Sequence, residues 1–330
     1  MRLNIERTVF YILQRILPMN LQDCTLCPRN CHANRANGQT GYCKQTDKIK
    51  AARASLHMWE EPCISGRSGS GTVFFSGCNM GCVFCQNYSV SQGNTGKIIS
   101  PERLSEIFLN LQEQKACNIN LVTPTHFLPH IKKALENAKS NGLSIPVVYN
   151  TSSYDKAETL KELDGLIDIY LPDLKYYSPA LGKRYSAAED YFSYASSAIE
   201  EMVRQAGVPV FSPQGLPLED QDEYSGPLMK KGVIVRHLML PGHMEDSKAV
   251  LRYLSSTYKN DIYVSIMNQY TPIPSFLDSN AYPELNRSVT SIEYERLVDY
   301  AISLGIENGF IQEGDTCSES FIPPFDCCGI

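Results

Sequence analysis

The 330-residue sequence has no run of eighteen or more apolar residues, so no segment is long enough to cross a bilayer as a helix. It also lacks a long Lys/Arg run. Basic residues come in pairs such as Lys132-Lys133 and Lys230-Lys231, and the net charge is −6. That balance excludes nucleic acid as a first partner and leaves no reason to expect a membrane partner. Internal repeats and low-complexity tracts are absent as well. An export leader is not expected either. In the first twenty residues the apolar segment is short, Glu6 and Arg7 precede it, and Gln14-Arg15 interrupts it. Ile5, Val9, Ile12, Leu13 and Ile16 recur at helical spacing. Residues 1–20 are therefore expected to form an amphipathic helix on the body, and the protein to be cytoplasmic.

Cysteine, by contrast, is abundant: there are twelve. In a large chain of mixed composition, clustered thiols point to metal or redox chemistry rather than to a disulfide scaffold. Two clusters stand out. The first is Cys24-x2-Cys27-x3-Cys31-x11-Cys43, within a stretch (21–66) that is poor in periodic apolar pattern. Four thiols with a CxxC start suit a closed zinc shell or an iron–sulfur cluster. Either would staple a Cys-rich module too polar to fold by burial alone. The second is "SGCNMGCVFCQN", Cys78-x3-Cys82-x2-Cys85, which follows the apolar run TVFFSG. Three thiolates in one loop match three corners of a four-iron cluster and leave one iron open to a small chelating ligand.

From residue 67 the pattern is regular. Apolar runs at 72–77, 119–123, 145–150, 166–171, 233–240 and 262–267, with a further candidate at 309–312, alternate with helical periodicity near 101–116, 128–141, 155–163, 187–206, 246–259 and 291–304. Strand–helix alternation of this kind predicts an α/β fold with a parallel sheet. Six or more units predict a partial barrel over 67–330, with its chemistry at the C-terminal ends of the strands. Residues 207–232, rich in Pro and Gly, are expected to form a loop or lid near those ends.

The three-cysteine spacing after a strand resembles the hallmark of the radical S-adenosylmethionine (radical SAM) superfamily. Further stretches narrow the resemblance: "NINLVTPTHFLPHI", "VVYNTSSYD", "IDIYLPDLKYY", "VIVRHLMLPGH", "IYVSIMNQYTP" and "GFIQE" are similar to PflX-type proteins, relatives of the pyruvate formate-lyase activating enzymes. The resemblance implies a partial (β/α)6 TIM-like barrel of the radical SAM type. It also implies a [4Fe–4S] cluster on Cys78, Cys82 and Cys85, with S-adenosylmethionine (SAM) on the open iron. Phe84 would stand beside that site. Asp173 and Lys175, two apart in an extended segment and so on one face, match the DLK position that helps to hold SAM, where a Lys offers a compact charge for a carboxylate. Asn150, at a strand end, is a further candidate for the ribose or the methionine amine. Where related proteins carry Gly-Gly-Glu, this chain has Thr123, Thr125 and His126, so a hydroxyl, taken here as that of Thr125, is expected to replace that contact. Arg236 is read either as a buried ion-pair partner or as a substrate contact. The implied activity is reductive cleavage of SAM to a 5′-deoxyadenosyl radical and hydrogen abstraction, from a protein glycine in the activase-like case, with flavodoxin or ferredoxin as reductant. Modification of another peptide or a small molecule, and a non-catalytic iron–sulfur carrier, stay open at this point.

Overall fold

The structure, a computed structural model, describes residues 19–93, 95–212, 226–272, 281–312 and 322–330. The expected helix over 1–20 therefore lies almost wholly outside the described residues, as do Cys317 and the middle of the 207–232 segment.

Ten strands form the central sheet: β1 (Ile49–His57), β2 (Ser70–Phe75), β3 (Lys97–Ile99), β4 (Ile119–Val122), β5 (Val147–Thr151), β6 (Ile169–Pro172), β7 (Val210–Phe211), β8 (Met229–Leu238), β9 (Tyr263–Met267) and β10 (Gly309–Ile311). Their order is β10-β9-β8-β6-β5-β4-β2-β1-β3, with β7 antiparallel on β8. From β2 to β10 every neighbouring pair is parallel. The sheet does not close, since β10 and β3 are its two ends. The result is a partial barrel whose parallel set comprises the six expected strands and the candidate at 309–312.

Parallel strands are covered on both faces and read as unbroken apolar runs. All six residues of β2 are buried, as are all five of β5 and all four of β6. Helices α1 (Pro101–Glu113), α2 (Leu128–Ser140), α3 (Pro179–Ser186), α4 (Tyr191–Ala206), α5 (Met244–Tyr258) and α6 (Ser291–Ser303) supply the outer layer. Their starts are encoded locally. The Ser100 side chain caps α1, with Pro101 at the first helical position, and Thr290 and Glu293 form a capping box on α6. Such caps satisfy amide groups that the helix itself cannot.

One expectation is corrected. The 21–66 boundary cuts across the sheet, because Ile49–His57 is a strand paired antiparallel with β2 and β3. Its connection to β2 enters the barrel from the end where the parallel strands begin, and Cys63 and Ile64 pack there on Val148, Ile169, Leu171 and Ile234. The described parts of 207–232 also belong to that end. Gly232 donates its amide to Asp168 O, just before β6 starts, and the part of the segment expected as a loop or lid between residues 213 and 225 lies outside the described residues.

Candidate active site

β2 ends at Phe75 and the chain turns sharply into the three-cysteine loop. Gly77 has φ +86°, and a Cβ there would meet Cys43 O at 2.5 Å, so the position admits no side chain. Gly81, between the first two thiols, has φ +63°. Behind the loop, His126 Nε2 holds Ser76 O at 2.7 Å.

Each sulfur has its own polar neighbour. Cys78 Sγ accepts from Met80 N at 3.3 Å, Cys82 Sγ accepts from Ser186 Oγ at 3.0 Å, and Cys85 Sγ lies 3.3 Å from Ser91 Oγ. Burial pushes the Cys78 thiol up to about 12, and Cys82 and Cys85 add to the rise. Burial also raises Cys85. Three thiols whose negative charges would disfavour one another need a cation to become thiolates together. Among the described residues no three His, Cys, Asp or Glu side chains stand around a single ion-sized point. A four-iron cluster takes one thiolate per iron, so its ligands are spread around a cube rather than gathered on one ion. Three spaced thiols with hydrogen-bond donors on their sulfurs fit such a cluster.

The thiols form one wall of a cavity of about 250 Å³. Its other walls come from the C-terminal ends of the strands: Thr123 after β4, Asn150 and Ser152 at β5, Asp173 and Lys175 after β6, Arg236 on β8, and Met267 with Gln269 at β9. Phe84 also lines it, edge-on to Tyr176, Tyr185 and Tyr270 with ring centroids 6.2–6.3 Å away.

A chain of buried charges runs along the floor. Lys175 Nζ is 2.7 Å from Asp173 Oδ2, and Arg236 Nε is 2.8 Å from Asp173 Oδ1. Arg236 then donates to Asn150 Oδ1 at 2.7 Å and to Glu60 Oε2 at 3.2 Å. Asn150 and Asn120 in turn donate to Glu60 Oε1, at 3.2 and 2.9 Å. Burial alone would raise Asp173, but Arg236 and Lys175 hold it below the usual carboxylate range. Burial works against the Lys175 charge, yet Asp173 and Cys82 outweigh it and keep the ammonium protonated. Glu60 goes the other way: burial raises it more than Arg236 lowers it. The floor thus offers a fixed cation, Lys175, on the side that faces the thiols.

Of the expected site residues, Cys78, Cys82, Cys85, Phe84, Asn150, Asp173 and Lys175 share this cavity. Thr125 does not. It is 1% exposed and bonded to Asp155 Oδ1 at 2.7 Å and to Tyr149 OH, and Thr123 lines the cavity instead. Glu60 was missed. Its only local signal is a Glu-Glu pair between Trp59 and Pro62, and its partner Arg236 is 176 residues away.

Cys24, Cys27, Cys31 and Cys43 are brought together in a turn-rich module whose described secondary structure before β1 is the 3-10 turn Arg35–Asn37. Cys24 and Cys43 act electrostatically on Cys27, and Cys24 and Cys31 on Cys43. As with the triad, these four do not surround one ion-sized point, so their spacing fits a multi-iron cluster, whose thiolates are spread over several irons, rather than a single ion.

Residues 72–223 match the family model of the radical SAM superfamily. An uncharacterized protein of Methanocaldococcus jannaschii is 28% identical over 290 residues, which cover 85% of this chain and 74% of that protein. Among solved structures, Streptococcus suis SuiB bound to precursor peptide SuiA aligns with a TM-score of 0.49 at 13% identity over 72% of this chain and 47% of that one. HydG, a maturase of the [FeFe]-hydrogenase, aligns with a TM-score of 0.48 at 16% identity over 72% of this chain and 50% of that one. This chain therefore spans about half the length of those structures.

Proposed function

Starting from the radical SAM domain over residues 72–223, we propose that this protein cleaves SAM reductively and uses the resulting radical to take a hydrogen atom from a bound substrate. The observation that carries the reading is the placement of Cys78, Cys82 and Cys85 across one cavity from Asp173 and Lys175. A [4Fe–4S] cluster held by those three thiolates would supply the electron that breaks the SAM sulfonium C–S bond and yields a 5′-deoxyadenosyl radical. The chain's own residues do the rest. Lys175, pinned by Asp173, presents a fixed positive charge to a carboxylate, and a preorganised charge of this kind needs no rearrangement on binding. Asn150, whose orientation is set by Arg236 and Glu60, offers a fixed amide at the ribose or amine end. Phe84 and its aromatic neighbours keep water from the inner wall.

For the substrate, the similarity to activating enzymes of pyruvate formate-lyase supports a protein glycine, with the Cα hydrogen abstracted. A flavodoxin or ferredoxin reductant, a thiolate-bound metal in the N-terminal module, oxidoreductase class and a cytoplasmic location belong to the same proposal. The test uses isotope transfer. Reduced, reconstituted protein is incubated with SAM and an extract of the source cells grown on deuterated glycine. Deuterium in the released 5′-deoxyadenosine supports a glycine donor. Unlabelled 5′-deoxyadenosine in an amount that depends on the extract points to another peptide or small molecule.

A further inference from the structure

Arg29 lies in the N-terminal module, two residues from both Cys27 and Cys31, yet its guanidinium bonds almost entirely outside the module. Nε donates to Asn79 O at 2.8 Å and Nη2 to Met80 O at 3.1 Å, both within the three-cysteine loop. Nη2 also donates to Ser186 O at 2.7 Å, and Nη1 donates to Ala187 O. Its flat face lies 3.8 Å from the Tyr42 ring centre and 5.0 Å from that of Tyr154. One fork thus ties four backbone carbonyls on two separate segments, an arrangement that a point charge cannot reproduce. Both segments matter to the thiols: Asn79 and Met80 lie between Cys78 and Cys82, and Ser186 donates its hydroxyl to Cys82 Sγ.

The module touches the loop at further points. Tyr42 OH donates to Met80 O at 3.4 Å, and Gly77 packs on Cys43 O. Inside the module, Arg35 is 1% exposed. Its donors go to Gln45 O at 3.2 Å, Thr46 O and the Cys24 sulfur at 3.7 Å, and among the described residues it forms no ion pair with a carboxylate. A buried cation needs a buried negative charge. Cys24, which Arg35 touches, and Cys43, whose thiolate Arg35 favours, would supply one as thiolates on a metal.

We propose that the four-cysteine module is a metal-loaded brace for the three-cysteine loop, and that Arg29 is the positioning residue that couples them. This deepens the reading of the module given above. With metal on Cys27 and Cys31, the turn that carries Arg29 is fixed at both ends, and the guanidinium holds the loop carbonyls and Ser186 in register. Without metal the turn is free to shift, and the loop loses its clamp although all three of its thiols remain.

The test is a double-variant cycle on the full chain with Arg29→Gln and Cys31→Ser, plus Arg29→Lys as a milder change. Each protein is reconstituted anaerobically, its metal content measured, and the electron paramagnetic resonance spectrum of the reduced cluster recorded with and without SAM. Cys31→Ser should empty the module, whereas Arg29→Gln should leave its metal in place. Both should alter the SAM-induced change in the spectrum in the same way and slow SAM cleavage by about tenfold, with Arg29→Lys in between. The double variant should be no worse than Arg29→Gln alone, because groups acting in one path do not add. Additive losses, unchanged spectra in Arg29→Gln, or equal loss of metal from both sites would overturn the brace. A wild-type spectrum that ignores SAM would sink the catalytic reading instead. The effect of Arg29→Gln on that spectrum would still decide the coupling.

Discussion

Arg236 and Asp173 meet at 2.8 Å on neighbouring strand ends, and a β-bridge joins their backbones. This pair turns a buried carboxylate into a fixed anchor for Lys175, whose ammonium faces the thiol loop. Because both carboxylate oxygens are engaged, the position of Lys175 depends on charge as well as on shape.

Asp173→Asn tests that dependence. The amide keeps the shape but removes the charge that holds Lys175, and charge-assisted hydrogen bonds are worth about 1.5–3 kcal/mol. SAM affinity, measured by calorimetry on the reconstituted protein, should fall by about tenfold or more. The sign of the pH effect follows from the depressed Asp173 pKa: its stabilising contribution is present above the unfolded carboxylate value and is lost only as pH falls through the lower folded one. Wild-type affinity should therefore persist into mild acid.

His126→Gln addresses the buttress behind the loop. Burial, with Arg35 adding to it, lowers His126 to about 3, against an ordinary value of 6.5. The ring is neutral in the fold and must gain a proton on unfolding. Its contribution is complete above pH 6.5 and is lost as pH falls from there toward 3. Denaturant titrations between pH 6.5 and 4 should show a slope smaller by about 1.4 kcal/mol per pH unit in the variant. An unchanged slope would contradict the assignment.

The C-terminal segment closes the cavity's lip. Ile322 and Pro323 line it, Phe325 packs edge-on to Phe74, and the backbone bonds Cys327 N to Ala52 O and Ala54 N to Cys328 O, both at 2.9 Å. Removing residues 325–330 should lower Tm and shift the emission of Trp59, the single tryptophan, which lines the same cavity. An unaltered emission spectrum would show that the segment does not shape the lip.

Much of this was legible because parallel strands buried on both faces must be apolar throughout. TVFF, INLV and VVYN could not be disguised. β1 could be: Ile49–His57 buries Ala51, Ala52 and Ala54 among Lys50, Arg53 and Ser55, small side chains without a clean alternation, and its register slips between Ala51 and Arg53. The thiol triad was readable from its spacing after a strand, and the DLK segment from its resemblance to the family pattern. Thr125 was misplaced because Thr123 has φ +58°, a turn that puts the first threonine on the cavity and sends the second to buried Asp155. Glu60 and Arg29 act through partners far away in sequence, and no local pattern announces such contacts.

The most direct measurement is of 5′-deoxyadenosine by mass spectrometry, after anaerobic reconstitution, dithionite reduction and incubation with SAM, with Cys82→Ala as control. The account predicts product from the wild type and none from the variant, together with loss of the iron held by the three-cysteine loop. Equal product from both, or none from a wild type that holds a reducible cluster in the presence of source-cell extract, would contradict it.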